Sequence, residues 1–273
     1  MSEFTVEHAG VTLAGEEAGE GVPVVLLHGL TATRRYVVMG SKALERAGHR
    51  VVAYDARGHG RSSPAPAPDG YGYGELAGDL RAILDARGVE RAVLAGASMG
   101  AHTLLRFALD HGDRVAGLVV ITPAYTPDGE HADLDRWDAL SRGLRSGGVE
   151  GFVAAYGEPN VPEAWRDTVV KVLHQRLGAH EHPEAVADAL ACTPRSRPFE
   201  TWAELGELEG LPCVVVASRD DADPGHPFAV GERYAEAIPG AELVSEDPGS
   251  SPLAWQGGQL SKVIVGVAAR VTA

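Results

Sequence analysis

Two cysteines, Cys192 and Cys213, are all that the 273 residues contain. Cys213 opens an apolar run that reads as a buried strand, so no disulfide framework is expected and a reducing cytoplasm is the expected compartment. No apolar run reaches the roughly 18–20 residues that a membrane span needs. The opening Met1-Ser2-Glu3-Phe4-Thr5 has no basic residue followed by an apolar stretch, so no signal peptide is expected. A nucleotide-binding loop is absent as well, since neither G-x-G-x-x-G nor the P-loop lysine occurs. Excess positive charge is also lacking. The formal net charge is −14, which argues against nucleic acid and anionic membranes as partners and leaves a small molecule as the expected one. Net charge speaks to solubility, not to the reaction.

What the chain does contain is a regular alternation of short apolar runs with helix-like stretches. Val24-Val25-Leu26-Leu27 reads as a strand, with a helix expected around Arg35 to Ala47. Val51-Val52-Ala53-Tyr54 follows, then a helix from about Gly74 to Ala86. Ala92-Val93-Leu94-Ala95 leads to a helix beginning near Ser98, and Leu118-Val119-Val120-Ile121 and Cys213-Val214-Val215-Val216 complete the series. Uninterrupted apolar strands alternating with helices imply a sheet covered on both faces, hence an α/β fold with a doubly wound, mostly parallel sheet. Phe4 to Leu13 alternates and turns at Ala9-Gly10, as an edge hairpin does.

Between Ile121 and Pro212 about 90 residues pass without a convincing strand, too many for a simple connection. Helix-like pieces run from His131 to Arg145, Pro162 to Leu177 and Pro183 to Ala191. The division expected is a core of residues 1–122 and 212–273, with residues 123–211 as an inserted helical cap. Trp137, Trp165 and Trp202 fall in that cap, where they would line an apolar pocket or pack within it.

The strongest chemical signal is Gly96-Ala97-Ser98-Met99-Gly100, directly after a strand and before a helix. Small flanking residues permit a tight strand-to-helix turn that exposes the Ser98 hydroxyl. The Met99 N–H then leads a helix, where the dipole and unspent N–H groups suit a developing oxyanion.

On these residues the chain resembles the α/β-hydrolase family, and three further segments agree. His28-Gly29-Leu30 matches the family's H-G-x oxyanion loop, which implies the Leu30 N–H as second oxyanion donor and His28 as an organiser of that loop. Asp55-Ala56-Arg57-Gly58-His59-Gly60-Arg61-Ser62 matches a D-x-R-G-x-G-x-S loop, with Asp55, Arg57 and His59 as structural residues. Ile238-Pro239-Gly240-Ala241-Glu242-Leu243 resembles the approach to the family's last strand.

The resemblance implies an acid after Val214–Ala217. Ser218-Arg219-Asp220-Asp221-Ala222-Asp223-Pro224-Gly225-His226 offers three carboxylates there. Counting forward from Pro212 favours Asp221; counting back from the helix near Phe228 favours Asp223; Asp220 stays open. The base is where the pattern departs. Ser251 stands where the family has its histidine, and no histidine follows His226. A serine hydroxyl needs a nearby base to become a nucleophile. Three readings follow: His226 as a relocated base, His28 or His102 in that role, or no acyl-enzyme chemistry at all. His180-Glu181-His182 lacks the spacing of a zinc site and reads as a solvated turn.

The leading expectation is a cofactor-independent enzyme that attacks a small ester, lactone or related carbonyl compound with Ser98. Met99 and Leu30 would hold the oxyanion. The alternatives are a lyase or cyclase using the same pocket, or a ligand-binding, inert hydrolase homologue.

Overall fold

The computed structural model describes residues 2–129, 133–219, 223, 225–247 and 255–271. Its strands are β1 (Ser2–His8), β2 (Val11–Ala18), β3 (Val22–Leu27), β4 (His49–Tyr54), β5 (Ala92–Ala97), β6 (Val115–Ile121), β7 (Cys213–Val216) and β8 (Glu242–Val244). They form one sheet in the order β1-β2-β4-β3-β5-β6-β7-β8, parallel from β4 through β8, with β2 antiparallel to both its neighbours. The doubly wound, mostly parallel α/β sheet expected from the sequence is therefore the fold. The edge hairpin turns at Ala9 (φ 48°) and Gly10 (φ 77°), the two left-handed residues that a tight hairpin loop requires.

The central strands are apolar throughout because both of their faces are covered. Val25, Leu27, Leu94 and Val120 face one core, shared with α2 (Tyr73–Ala86), α3 (Met99–Asp110) and α7 (Phe228–Ala237). Their neighbours Val24, Leu26, Val93 and Val119 face the other, closed by α1 (Ala43–Arg46) and α8 (Gly257–Val271). Alternate residues of each strand thus bury into opposite layers.

The single helix expected around 35–47 does not form. A 3-10 turn at Arg34–Tyr36 is followed by Met39 (φ 49°) and Gly40 (φ 71°), and helix resumes only at α1. Two left-handed residues in succession end the helical path.

Between β6 and β7 lie α4 (Leu134–Tyr156), α5 (Glu163–Leu177) and α6 (Pro183–Cys192). The first of the three helices expected here ends eleven residues later than the sequence suggested, at Tyr156, after a break at Gly148 (φ 60°). The two halves of α4 fold back on each other so closely that a Cβ on Gly143 would lie 2.4 Å from the Gly151 carbonyl oxygen. Leu140, Leu144, Phe152, Leu173, Leu177, and Leu190 give these helices a core of their own. The packing changes before β7: Phe199, Leu205 and Leu208 belong to the sheet's core. Trp202, expected with the inserted helices, instead packs its ring 5.6 Å from Phe199 and 5.1 Å from Tyr234. A capping box of Thr201 and Glu204 starts the 3-10 segment that carries it there.

Among the described residues no helix is long and apolar enough to cross a membrane. Both cysteines are free thiols, and burial pushes Cys213 up to about 12.

Candidate active site

The strand order reverses at β3: the chain goes from β3 to β4 on one side, then crosses back to β5 on the other. Loops leaving β3 and β5 diverge at this point, and the crevice between them is where open α/β sheets hold ligands. Leu27 pairs with Gly96, so the loop beginning at His28 and the turn at Ser98 leave the sheet side by side.

Ser98 has φ 51° and ψ −113°, a conformation that side-chain-bearing residues rarely adopt and that stores strain. It is held by Ser98 N–H to Ile121 O at 3.0 Å and by His102 N–H to Ser98 O at 3.0 Å. The flanking glycines are required by close approach. A Cβ on Gly100 would lie 2.2 Å from Leu27 O, and one on Gly96 would lie 2.4 Å from Gly100 O. The motif's small residues thus let a helix start directly against the β3 edge, with the serine at its head.

His226 comes to that serine from the loop after β7. Its Nε2 lies 2.9 Å from Ser98 Oγ, and its Nδ1 lies 2.7 Å from Asp223 Oδ2. The His226 N–H also donates to Asp223 O at 3.2 Å, closing a four-residue turn that brings the carboxylate and the imidazole together. Burial by itself raises the Asp223 carboxyl, but the His226 ring, the Arg176 guanidinium and the Gly225 N–H outweigh it, and the net shift is downward. Asp223 is therefore a carboxylate at neutral pH, able to orient the imidazole. Asp220, Asp221 and Ser251 lie outside the described residues.

The two other histidines raised as bases are engaged elsewhere. His28 Nε2 accepts from the Ala56 N–H at 2.9 Å, so its Nδ1 carries the proton and donates to Gly29 O at 2.8 Å. Burial drops its pKa to about 3. It does not border the cavity over Ser98, so its place is in the loop and not against a ligand. His102 Nε2 accepts from the N–H groups of Ala124 and Tyr125, both at 3.1 Å. Burial likewise drops it to about 3. Neither ring has a lone pair to offer Ser98.

The Leu30 and Met99 N–H groups have no acceptor among the described residues. Gly29 O, on the same peptide unit as the Leu30 N–H, accepts from His28 Nδ1 and from the Ala32 N–H at 3.0 Å. Those bonds polarise the unit toward donation. The inserted helices brace this loop. Arg176 of α5 donates to Leu30 O at 2.8 Å and to Thr31 Oγ1 at 2.9 Å, and His180 Nε2 donates to Thr31 O at 3.0 Å. Thr31 has φ 66°, a strained value for a β-branched residue, and these bonds hold it there.

The Asp55–Ser62 loop is a scaffold, as expected. Asp55 accepts from the Arg34 N–H at 2.8 Å and pairs with the Arg34 guanidinium. Arg57 grips Asp79 through two 2.7 Å bonds in the core. His59 donates from Nδ1 to Arg57 O at 3.0 Å. A Cβ on Gly60 would strike the Asp55 carboxylate at 2.2 Å.

Over Ser98 opens a cavity of about 340 Å³, bordered by Leu30, Met99, Tyr73, Trp137, Arg195 and Arg197 among others. Sequence reasoning missed Tyr73, Arg176 and the two rim arginines. Nothing local marks them, because their roles come from contacts between distant parts of the chain, such as Arg176 to Leu30 across 146 positions and Arg197 to Pro127 across 70. The Asp223–His226 pair did leave a signal: Asp-Pro-Gly-His is a turn sequence, and a turn places its first and fourth residues together.

The chain matches the family model for the alpha/beta hydrolase fold over residues 22–207. RutD of Variovorax paradoxus, a protein named for carbamate hydrolysis, is 33% identical over 220 residues, 80% of each chain. A thermophilic esterase from Thermogutta terrifontis has the same fold with a TM-score of 0.79 and 26% identity, over 100% of both chains. Est816, an N-acyl homoserine lactone degrading enzyme, gives a TM-score of 0.73 at 26% identity over 97% of this chain and 98% of its own.

Proposed function

This chain belongs to the α/β-hydrolase fold family, and from that premise we propose that it is a serine hydrolase of small esters, lactones or related carbonyl compounds. The observation that carries the reading is the contact chain from Ser98 Oγ to His226 Nε2 at 2.9 Å and from His226 Nδ1 to Asp223 at 2.7 Å. Relatives named for carbamate, ester and lactone cleavage support it, since all three reactions open a carbonyl that carries a heteroatom.

In this reading Ser98 Oγ attacks the carbonyl carbon while His226 Nε2 takes its proton. The developing oxyanion accepts from the Leu30 and Met99 N–H groups. His226 then returns the proton to the departing oxygen, the bond to the leaving group breaks, and the acyl group stays on Ser98. Water enters, loses a proton to His226, attacks the acyl carbon and releases the acid with Ser98 restored. Asp223 holds the ring in the tautomer that this cycle needs and stabilises its charged form. The base thus arrives from the loop after β7 instead of the loop after β8. The helices α4 to α6 act as the cap, with α5 bracing the oxyanion loop and α4 walling the cavity.

Fluorophosphonate labelling tests the reading. Wild type should label, and Ser98→Ala and His226→Ala should not. A folded wild type that never labels would overturn it in favour of binding or non-hydrolytic chemistry; undiminished labelling of His226→Ala would remove His226 as the base.

A further inference from the structure

We propose that the substrate is an ester or lactone that carries a carboxylate, and that the cavity recognises this group through Tyr73, Ser196, Arg195 and Arg197. The inference rests on the hydrolase reading for its chemistry, but its evidence is the polar inventory of the cavity.

That inventory is one-sided. His102 Nε2 is occupied by the N–H groups of Ala124 and Tyr125, so in the neutral ring the proton sits on Nδ1. Nδ1 lies 2.9 Å from the Tyr73 hydroxyl, and must donate to it. The Tyr73 oxygen is therefore an acceptor in that bond, and its own proton is unspent among the described residues. Two backbone amides have fixed a tautomer, and the tautomer has fixed a tyrosine as a donor. Tyr73 borders the cavity and packs against Met99 and Leu30, whose N–H groups await the oxyanion. Its burial raises the phenol well above its ordinary range, so it keeps that proton.

Ser196 repeats the pattern. Its Oγ accepts from the Tyr73 N–H at 2.9 Å, and its hydroxyl proton meets no acceptor among the described residues. The hydroxyl of Thr193, by contrast, is spent on Tyr71 O at 2.9 Å.

Two arginines, Arg195 and Arg197, border the same cavity. Arg195 uses donors on Ala191 O at 2.7 Å and Asp138 Oδ2 at 2.9 Å. Arg197 uses Nη2 on Pro127 O at 2.9 Å and on Glu200 O at 3.3 Å, and Nε on a Glu200 carboxylate oxygen at 2.9 Å, which leaves Nη1. A guanidinium has five N–H donors, so each retains unspent ones. Neither Asp138 nor Glu200 borders the cavity; they hold the arginines from outside it. Among the described residues bordering the cavity there are two arginines and no carboxylate, in a chain whose net charge is −14.

A wall with surplus donors and positive charge leaves its hydrogen bonds unmade with a purely apolar ligand. A neutral alcohol or amine would bring further donors. A carboxylate brings acceptors only, with charge of the matching sign, and a cleft lined by one sign of charge concentrates ligands of the other.

The test compares esters matched in shape. Monomethyl adipate is paired with methyl 6-methylheptanoate, and 6-acetoxyhexanoate with 6-methylheptyl acetate, so that the charge sits on the acid half in one pair and the alcohol half in the other. Acid release gives kcat/KM for wild type, Tyr73→Phe and Arg197→Gln. Affinities of the same compounds for Ser98→Ala are measured by calorimetry. In at least one pair the anionic member should be favoured about ten-fold or more, and each substitution should shrink that ratio. Neutral members preferred or equal in both pairs, by rate and by affinity, would overturn the proposal; so would a preference that survives both substitutions. Turnover of the neutral esters alone would leave the hydrolase reading standing without it. A preference in Ser98→Ala affinity with no turnover or labelling by wild type would do the reverse.

Discussion

His226 Nδ1 lies 2.7 Å from a carboxylate oxygen of Asp223, three residues before it on the same loop. Carboxylate and imidazole are thus one local unit, delivered together to a serine 128 positions away. The backbone carbonyl of Asp223 also accepts from the His226 N–H and closes the turn.

Asp223→Asn should lower kcat by about 10³-fold or more, the scale seen when an orienting carboxylate is lost from a serine triad. Asp221→Asn should stay within about three-fold of wild type, because Asp223 already holds the place beside His226 Nδ1. Steady-state kinetics on one ester decides between them. A larger loss in Asp221→Asn would reassign the acid.

The φ of 51° at Ser98 makes its replacement a test of strain. Glycine tolerates that conformation and alanine does not. Ser98→Gly should therefore be more stable than Ser98→Ala by about 1 kcal/mol, read from urea midpoints. Equal midpoints would mean that the turn is unstrained.

Three buried histidines and one half-buried one bear on stability against pH. Burial holds His28 and His102 at about 3, His59 well below its ordinary value, and His180 below it too. The unfolded chain binds protons as pH falls through about 6.5, while the folded one does not. Their contribution is thus complete above about 6.5 and declines below it, by up to about 1.4 kcal/mol per pH unit for each ring. Urea midpoints should fall steeply from pH 7 to 5, and less steeply in His59→Phe. A flat profile over that interval would contradict the neutral assignment.

Arg57→Met should be among the most damaging substitutions away from Ser98. It strands the Asp79 carboxylate, fully buried and also touched by His8 Nδ1 at 2.9 Å. The expected loss is about 3–5 kcal/mol, and Asp79→Leu in the same chain should restore much of it. Thermal melts of both variants check this; a double variant no better than the single one would show that the pair matters through packing.

The sequence by itself determined the sheet, most of its helices and the turn that carries Ser98. Each of these is local: a run such as Leu118–Ile121 is apolar on both faces because it is buried on both, and Gly96 and Gly100 mark a turn that only small residues allow. The scaffold role of Asp55 and Arg57 was legible for the same reason, from a motif contained within eight positions. The base was not. Chain distance says nothing about which of His28, His102 and His226 reaches Ser98, and each answer depends on atoms far away in sequence: Ala56 for His28, Ala124 and Tyr125 for His102, Ser98 itself for His226. Those choices, the bracing of Thr31 by Arg176 and His180, and the unspent proton on Tyr73 were decided only when the fold closed. A residue type fixes which hydrogen bonds a group can make, but tertiary packing fixes which of them are already taken.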